Sequence, residues 1–146
     1  MAIYNESKHG KIIQEGTGFT MCVLPNNHNN RSESYLTKNI KEFYKGKGYY
    51  EEVAIWEQGF INKMCVIDLY NPLLSQGIEI HNKNNSNLKK FIAKLRVYES
   101  YFYDVKVIML ENKLLVQKRL IDNGFETIII PKGDRLTLLF PMENKI

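Results

Sequence analysis

Apolar and polar positions change rhythm several times along the chain, and each change marks an element. Lys11 to Leu24 carries two short β-type runs on either side of Gly16-Thr17-Gly18, and Phe19 to Leu24 is the more apolar arm. A Gly-x-Gly step permits a tight turn, so a hairpin is predicted; a phosphate loop is excluded because no Gly-Lys-Ser/Thr ending follows. Pro25 to Arg31 is a linker rich in asparagine, a residue that closes turns through its own side chain. From Ser32 the period becomes helical. Leu36, Ile40 and Phe43 recur at that spacing, Tyr35 and Tyr44 widen the stripe, Ser32 is a good N-cap, and Gly46 and Gly48 stop the helix.

Three strands with short connections follow: Tyr49–Glu57, Lys63–Tyr70 and Gly77–His81, read as an antiparallel meander. The clearest helix comes next. Leu88, Phe91, Ile92, Leu95, Tyr98 and Phe102 form one stripe, with Ser86 or Asn87 as its cap. Lys94 flanks that stripe on the same side as Tyr98, four residues on. Val105–Leu110 is fully apolar and is predicted as a central strand. A short helix, Leu114–Asn123, is closed by Gly124, and strands are predicted at Thr127–Ile130 and Leu136–Phe140. The expected fold class is α/β (α+β), a mixed central sheet flanked by helices. A single domain is expected over residues 1–146: a hairpin and linker (1–31), a core (32–110), and a helix with strands (111–146).

Two acids stand out against this pattern. Asp68 and Glu79 each sit inside an apolar β-type run. Burying a carboxylate costs free energy unless it is paired or bound to a metal, so two on neighbouring strands suggest a site for a hard divalent cation. The other reading of the same spacing is a pair of half-exposed strand positions, solvated at a sheet edge. The formal net charge of +4 permits a polyanionic partner without demanding one. Cys22 and Cys65 lie in apolar runs and read as buried thiols in a reducing compartment, and no Cys/His cluster has zinc spacing. No signal peptide is read at the polar N-terminus, and no apolar run reaches the roughly 20 residues of a membrane helix. A soluble, cytoplasmic protein is expected.

The order from Ser32 to Leu110 is helix, three strands, helix, strand, with acids in the first helix (Glu33), the second strand (Asp68) and the third strand (Glu79). A Gly-Ile-Glu-Ile strand, a polar loop, a basic amphipathic helix and a Tyr103-Asp104 step before an apolar strand complete the likeness. This αβββαβ core resembles the PD-(D/E)XK nuclease superfamily, the fold of many restriction enzymes and Holliday junction resolvases. The resemblance implies a divalent-metal-dependent nuclease acting on DNA, including branched DNA. It implies Mg²⁺ (or Mn²⁺) held by Asp68, Glu79 and the carbonyl of Ile80, with Glu33 as an auxiliary. Such a metal lowers the pKa of a bound water and stabilises charge on a phosphodiester.

One departure is sharp: His81 occupies the position of the family's lysine. Three readings stand. The lysine has migrated, with Lys94 the best candidate and Lys83 or Lys63 behind it; or His81 orients or deprotonates water itself; or the site is degenerate and the chain is a DNA- or protein-binding module, such as a phage or mobile-element protein that engages a host partner. An HNH-type site using His81 and Asn82 lacks a second histidine at suitable spacing. Lys89, Lys90, Lys94 and Arg96, with Lys83 in the preceding loop, could contact phosphates and make binding salt-sensitive; a solvated helix face is the alternative. Small enzymes of this superfamily are often homodimers, and Leu136–Phe140 is the seam that the sequence offers.

Overall fold

The computed structural model describes residues 10–24, 35–57, 63–81, 87–109 and 114–129. The fold is mixed α/β, as expected. The described residues form the strands β1 (Lys11–Gly16), β2 (Phe19–Val23), β3 (Tyr50–Glu57), β4 (Lys63–Asn71), β5 (Gln76–His81), β6 (Asp104–Met109) and β7 (Glu126–Ile129). The helices are α1 (Tyr35–Lys45), α2 (Leu88–Glu99) and α3 (Leu114–Asp122). Several sequence expectations lie outside the described residues: the Ser32 cap, Glu33, Lys83 and the strand Leu136–Phe140. The chain groups into two compact units, residues 1–77 and 78–146.

In the first unit β1 to β4 form an antiparallel meander. Gly16 opposes Phe19 across the β1–β2 turn, Val23 opposes Val53, and Val53 opposes Ile67. Val53, Ala54 and Ile55 are all buried, so the middle of β3 is covered on both faces. Cys22 pairs with Ala54 and Cys65 with Ile55, so β3 separates the two cysteines. Two inter-strand spacings are about 9–10 Å, beyond the roughly 7 Å that a disulfide can span, and none forms.

Helix α1 buries Ile40 and Tyr44 of its expected stripe, and the side chains of Tyr35 and Leu36 lie outside the described residues. Its buried residues are Thr37, Ile40, Lys41 and Tyr44, while Phe43 is only half-buried. Lys41 is buried because it pairs with Glu52 of β3, as described below.

Tyr70, fully buried in β4, donates its hydroxyl to Gln14 of β1 and also bonds Ser75. Burial pushes the Tyr70 phenol above its ordinary range, and the Gln14 and Ser75 bonds only partly offset this. Lys45 is raised as well, first by its hydrogen bond to Glu51. Both shifts have one sign. A raised folded-state pKa gives stability that is full below the unfolded value, near 10 for each group, and is lost as pH rises through the folded value. The urea midpoint is therefore expected to fall steadily above pH 10. Tyr70→Phe is expected to flatten that fall while lowering stability at pH 7 by about 1 kcal/mol for the lost hydrogen bond. An unchanged slope would remove Tyr70 as its source.

In the second unit α2 begins at Asn87, whose Oδ1 accepts the Lys90 N–H at 3.2 Å. The helix ends at Glu99, short of the expected stripe. The N–H groups of Ser100 and Tyr101 bond back to Val97 and Tyr98 three residues earlier, tightening the last turn, and Phe102 stays buried beyond it. Strands β6 and β7 are parallel, with Ile108 opposite Ile128, and α3 connects them. Val105, Val107, Ile108 and Met109 of β6 are buried, as an apolar strand demands, whereas Ile128 of β7 is half-buried. Gly124 closes α3 with φ +88, a left-handed residue just past the helix end.

Candidate functional site

Glu79 lies in the buried strand β5, between Ile78 and Ile80. Its side chain is 6% exposed, so its charge must be met by a specific partner. That partner comes from α2: Lys94 Nζ donates to Glu79 Oε2 at 2.6 Å, while 44% of the Lys94 side chain stays in solvent. The second carboxylate oxygen, Oε1, lies 3.5 Å from the hydroxyl of fully buried Tyr98. Lys94 Nζ also lies 5.9 Å from the centroid of the Tyr98 ring. Residues 94 and 98 share one side of the helix, so a single face of α2 delivers an amine and a phenol to one buried carboxylate.

His81, two residues along the same strand, behaves differently. It is buried, and its ring meets Phe91 of α2 edge to face at 4.7 Å between centroids. Such a contact orders the imidazole by packing. Ile80 between them is half-buried.

In the first unit, the half-buried Asp68 lies in β4. The flanking pairs Glu51–Leu69 and Val53–Ile67 set it opposite Glu52 of β3. Glu52 has φ +53, a left-handed conformation rare for a residue with a side chain. Its consequence is visible in the ion pairs. Successive residues of a regular strand point to opposite faces. Here Glu51 and Glu52 both reach amines of α1: Lys45 Nζ to Glu51 Oε1 and Lys41 Nζ to Glu52 Oε2 are each 2.9 Å. Lys41 Nζ is also 4.0 Å from Glu51 Oε2. The break in β3 thus gathers two carboxylates onto one helix, directly across from Asp68. Sequence alone did not single out Glu52 or Lys41; the only available signal was the adjacent acid pair in an otherwise apolar strand.

Lys89 and Lys90 are exposed on α2. Arg96 is committed elsewhere. It donates to Glu99 Oε1 at 2.9 Å and to the Asn123 carbonyl at 2.8 Å, and it lies over the Phe125 ring at 4.8 Å. It therefore ties α2 to the end of α3. Among the described residues no group of three or more His, Cys, Asp and Glu side chains could hold a metal ion. No described helix is long and apolar enough to cross a membrane. Comparison of the chain with protein-family models, curated proteins and solved structures finds no match.

Proposed function

We propose that the protein is a divalent-metal-dependent DNA endonuclease, with Asp68 and Glu79 as its metal-holding carboxylates and Lys94 as the migrated lysine. The observation that carries this reading is the 2.6 Å contact between Lys94 Nζ and Glu79 Oε2. An amine delivered by the helix after β5 takes over what a lysine at position 81 would supply on the strand itself. The donor set suits Mg²⁺, which takes hard oxygen ligands: Glu79 is a desolvated carboxylate, and the Ile80 carbonyl follows it in the chain. When bound, the ion would acidify a water and stabilise charge on the phosphodiester. Glu79 supplies charge that burial makes strongly attractive to a cation. Lys94, half in solvent, can turn its amine from Glu79 to an attacking water or a phosphate oxygen. Tyr98 holds the other carboxylate oxygen in place. Lys89 and Lys90 supply positive charge for the DNA backbone, which makes binding fall as salt rises.

The test is incubation with plasmid, linear duplex and four-way-junction DNA in Mg²⁺ or Mn²⁺, with EDTA as control. Metal-dependent cleavage is expected; no cleavage of any substrate would sink the proposal. A second reading is favoured by the His81–Phe91 contact, which gives the family's lysine position to a packing residue. On that reading the chain is a catalytically degenerate binding module. Its signature is DNA or protein binding without metal binding.

A further inference from the structure

The turn between β4 and β5 exposes two leucines on a well-braced backbone. Leu73 is 94% exposed and Leu74 57%. Buried Asn71 accepts the N–H groups of both through Oδ1, at 3.0 and 3.3 Å. Tyr70 bonds Ser75, and Tyr49 donates to Gln76. An exposed leucine gains nothing for folding, yet this one is presented by a turn fixed on both sides. Beside it lies the α1–β3 turn: a Cβ built on Gly48 would lie 3.7 Å from Asn71 Nδ2. That turn carries the exposed Lys47, and β3 begins there with Tyr50, which is 44% exposed and opposite Tyr70. Pro72 to Gly77 contains no carboxylate. One end of this unit therefore offers an apolar tip, an aromatic ring and a cation, with no acid in the turn to repel phosphate.

We infer that this end inserts Leu73 and Leu74 as a wedge at an opened base step of DNA, with Tyr50 stacking on a displaced base and Lys47 on the flanking phosphate. Apolar side chains wedged between base steps unstack and kink a duplex, and exposed aromatic rings stack on freed bases. The inference rests on the nuclease reading and gives it a substrate class: DNA whose stacking is already weakened, as at a branch point or a bulge. The chain itself limits the distance. Leu73 follows Asp68 by five residues and precedes Glu79 by six. A fully extended chain spans at most about 3.6 Å per residue, so either acid lies within about 22 Å of the wedge. Cleavage is expected within roughly six nucleotides of the opened step, at 3.4 Å per nucleotide.

The test uses a four-way junction with 2-aminopurine at the branch, titrated with the full chain in EDTA so that cleavage plays no part. Wild type is expected to raise the fluorescence and to prefer the junction over linear duplex. Leu73→Ser/Leu74→Ser is expected to abolish the rise and to reduce that preference by on the order of tenfold, as expected for loss of the apolar wedge. Its circular dichroism should match wild type. If that variant misfolds, Tyr50→Ala and Leu73→Ala singly give the same reading with less perturbation. Fluorescence unchanged in wild type, or an undiminished rise in the variants, overturns the inference. So does a change in oligomeric state without a change in DNA binding, which would make the turn a seam between copies. Unstacking without any metal-dependent cleavage would leave the wedge standing and remove the nuclease.

Discussion

Lys94→Ala is expected to lower the single-turnover rate of Mg²⁺-dependent cleavage by about 10²- to 10⁴-fold, the range for a positioned proton-transfer group. The Mg²⁺ concentration for half-maximal rate should stay level or fall, because the amine competes with the ion for Glu79 Oε2, 2.6 Å away. The two parameters therefore separate. A ligand defect raises the metal requirement, and a lost proton relay lowers the rate alone. Some stability is lost as well. Glu79 is buried, but Lys94 is nearly half exposed and water can replace its ammonium, so the loss is about 1–2 kcal/mol. For a chain of this size that lowers Tm by a few degrees, leaving the variant folded at assay temperature. Lys94→Arg should recover little, since a guanidinium is wider and does not give up its proton. A rate within threefold of wild type would remove Lys94 from the chemistry.

Lys41→Met is expected to have the largest effect on stability. The Lys41 side chain is 3% exposed and Glu52 16%, with the amine 2.9 Å from Oε2. Removing one partner of a buried ion pair costs about 3–5 kcal/mol, because the other charge is left without compensation. Glu52 keeps some solvent, so about 3 kcal/mol is expected here, or roughly 6–12 °C in Tm. Glu51 keeps Lys45 and moderates the loss. Lys41→Met/Glu52→Gln should recover much of it, since both charges are then gone. Thermal denaturation of the two single variants and the double variant gives the coupling. Additive losses would show that the pair does not act as a unit.

The order of elements was legible because it rests on local signals. Gly16-Thr17-Gly18 turned the first hairpin, Asn87 capped α2, and Gly124 closed α3 where glycine past a helical stripe predicts an end. The shared side of Lys94 and Tyr98 was legible too, since residues four apart share a helix face. What escaped depended on contacts distant in sequence. Lys41 carries no signal of its own in the sequence, and its role is visible only once Glu52 is placed beside it. Glu52 reads as an ordinary strand residue until its positive φ is seen. Arg96 reads as one more cation on a basic helix, yet Asn123 and Phe125, some 27 residues on, hold it in the fold. The ring of Phe91 against His81 was not legible either, because it joins a strand to the following helix. Periodicity reports which face a side chain shares, and it carries no information on which charge or ring waits there.

Mn²⁺ titration followed by electron paramagnetic resonance tests the proposed metal role of Asp68 and of Glu79 most directly, because it needs no substrate. Wild type is expected to bind Mn²⁺ saturably, and Asp68→Asn and Glu79→Gln are each expected to weaken that binding at least tenfold, or about 1.4 kcal/mol. Binding in both variants as tight as in wild type, or no binding in wild type, would contradict a cation shared by these two carboxylates.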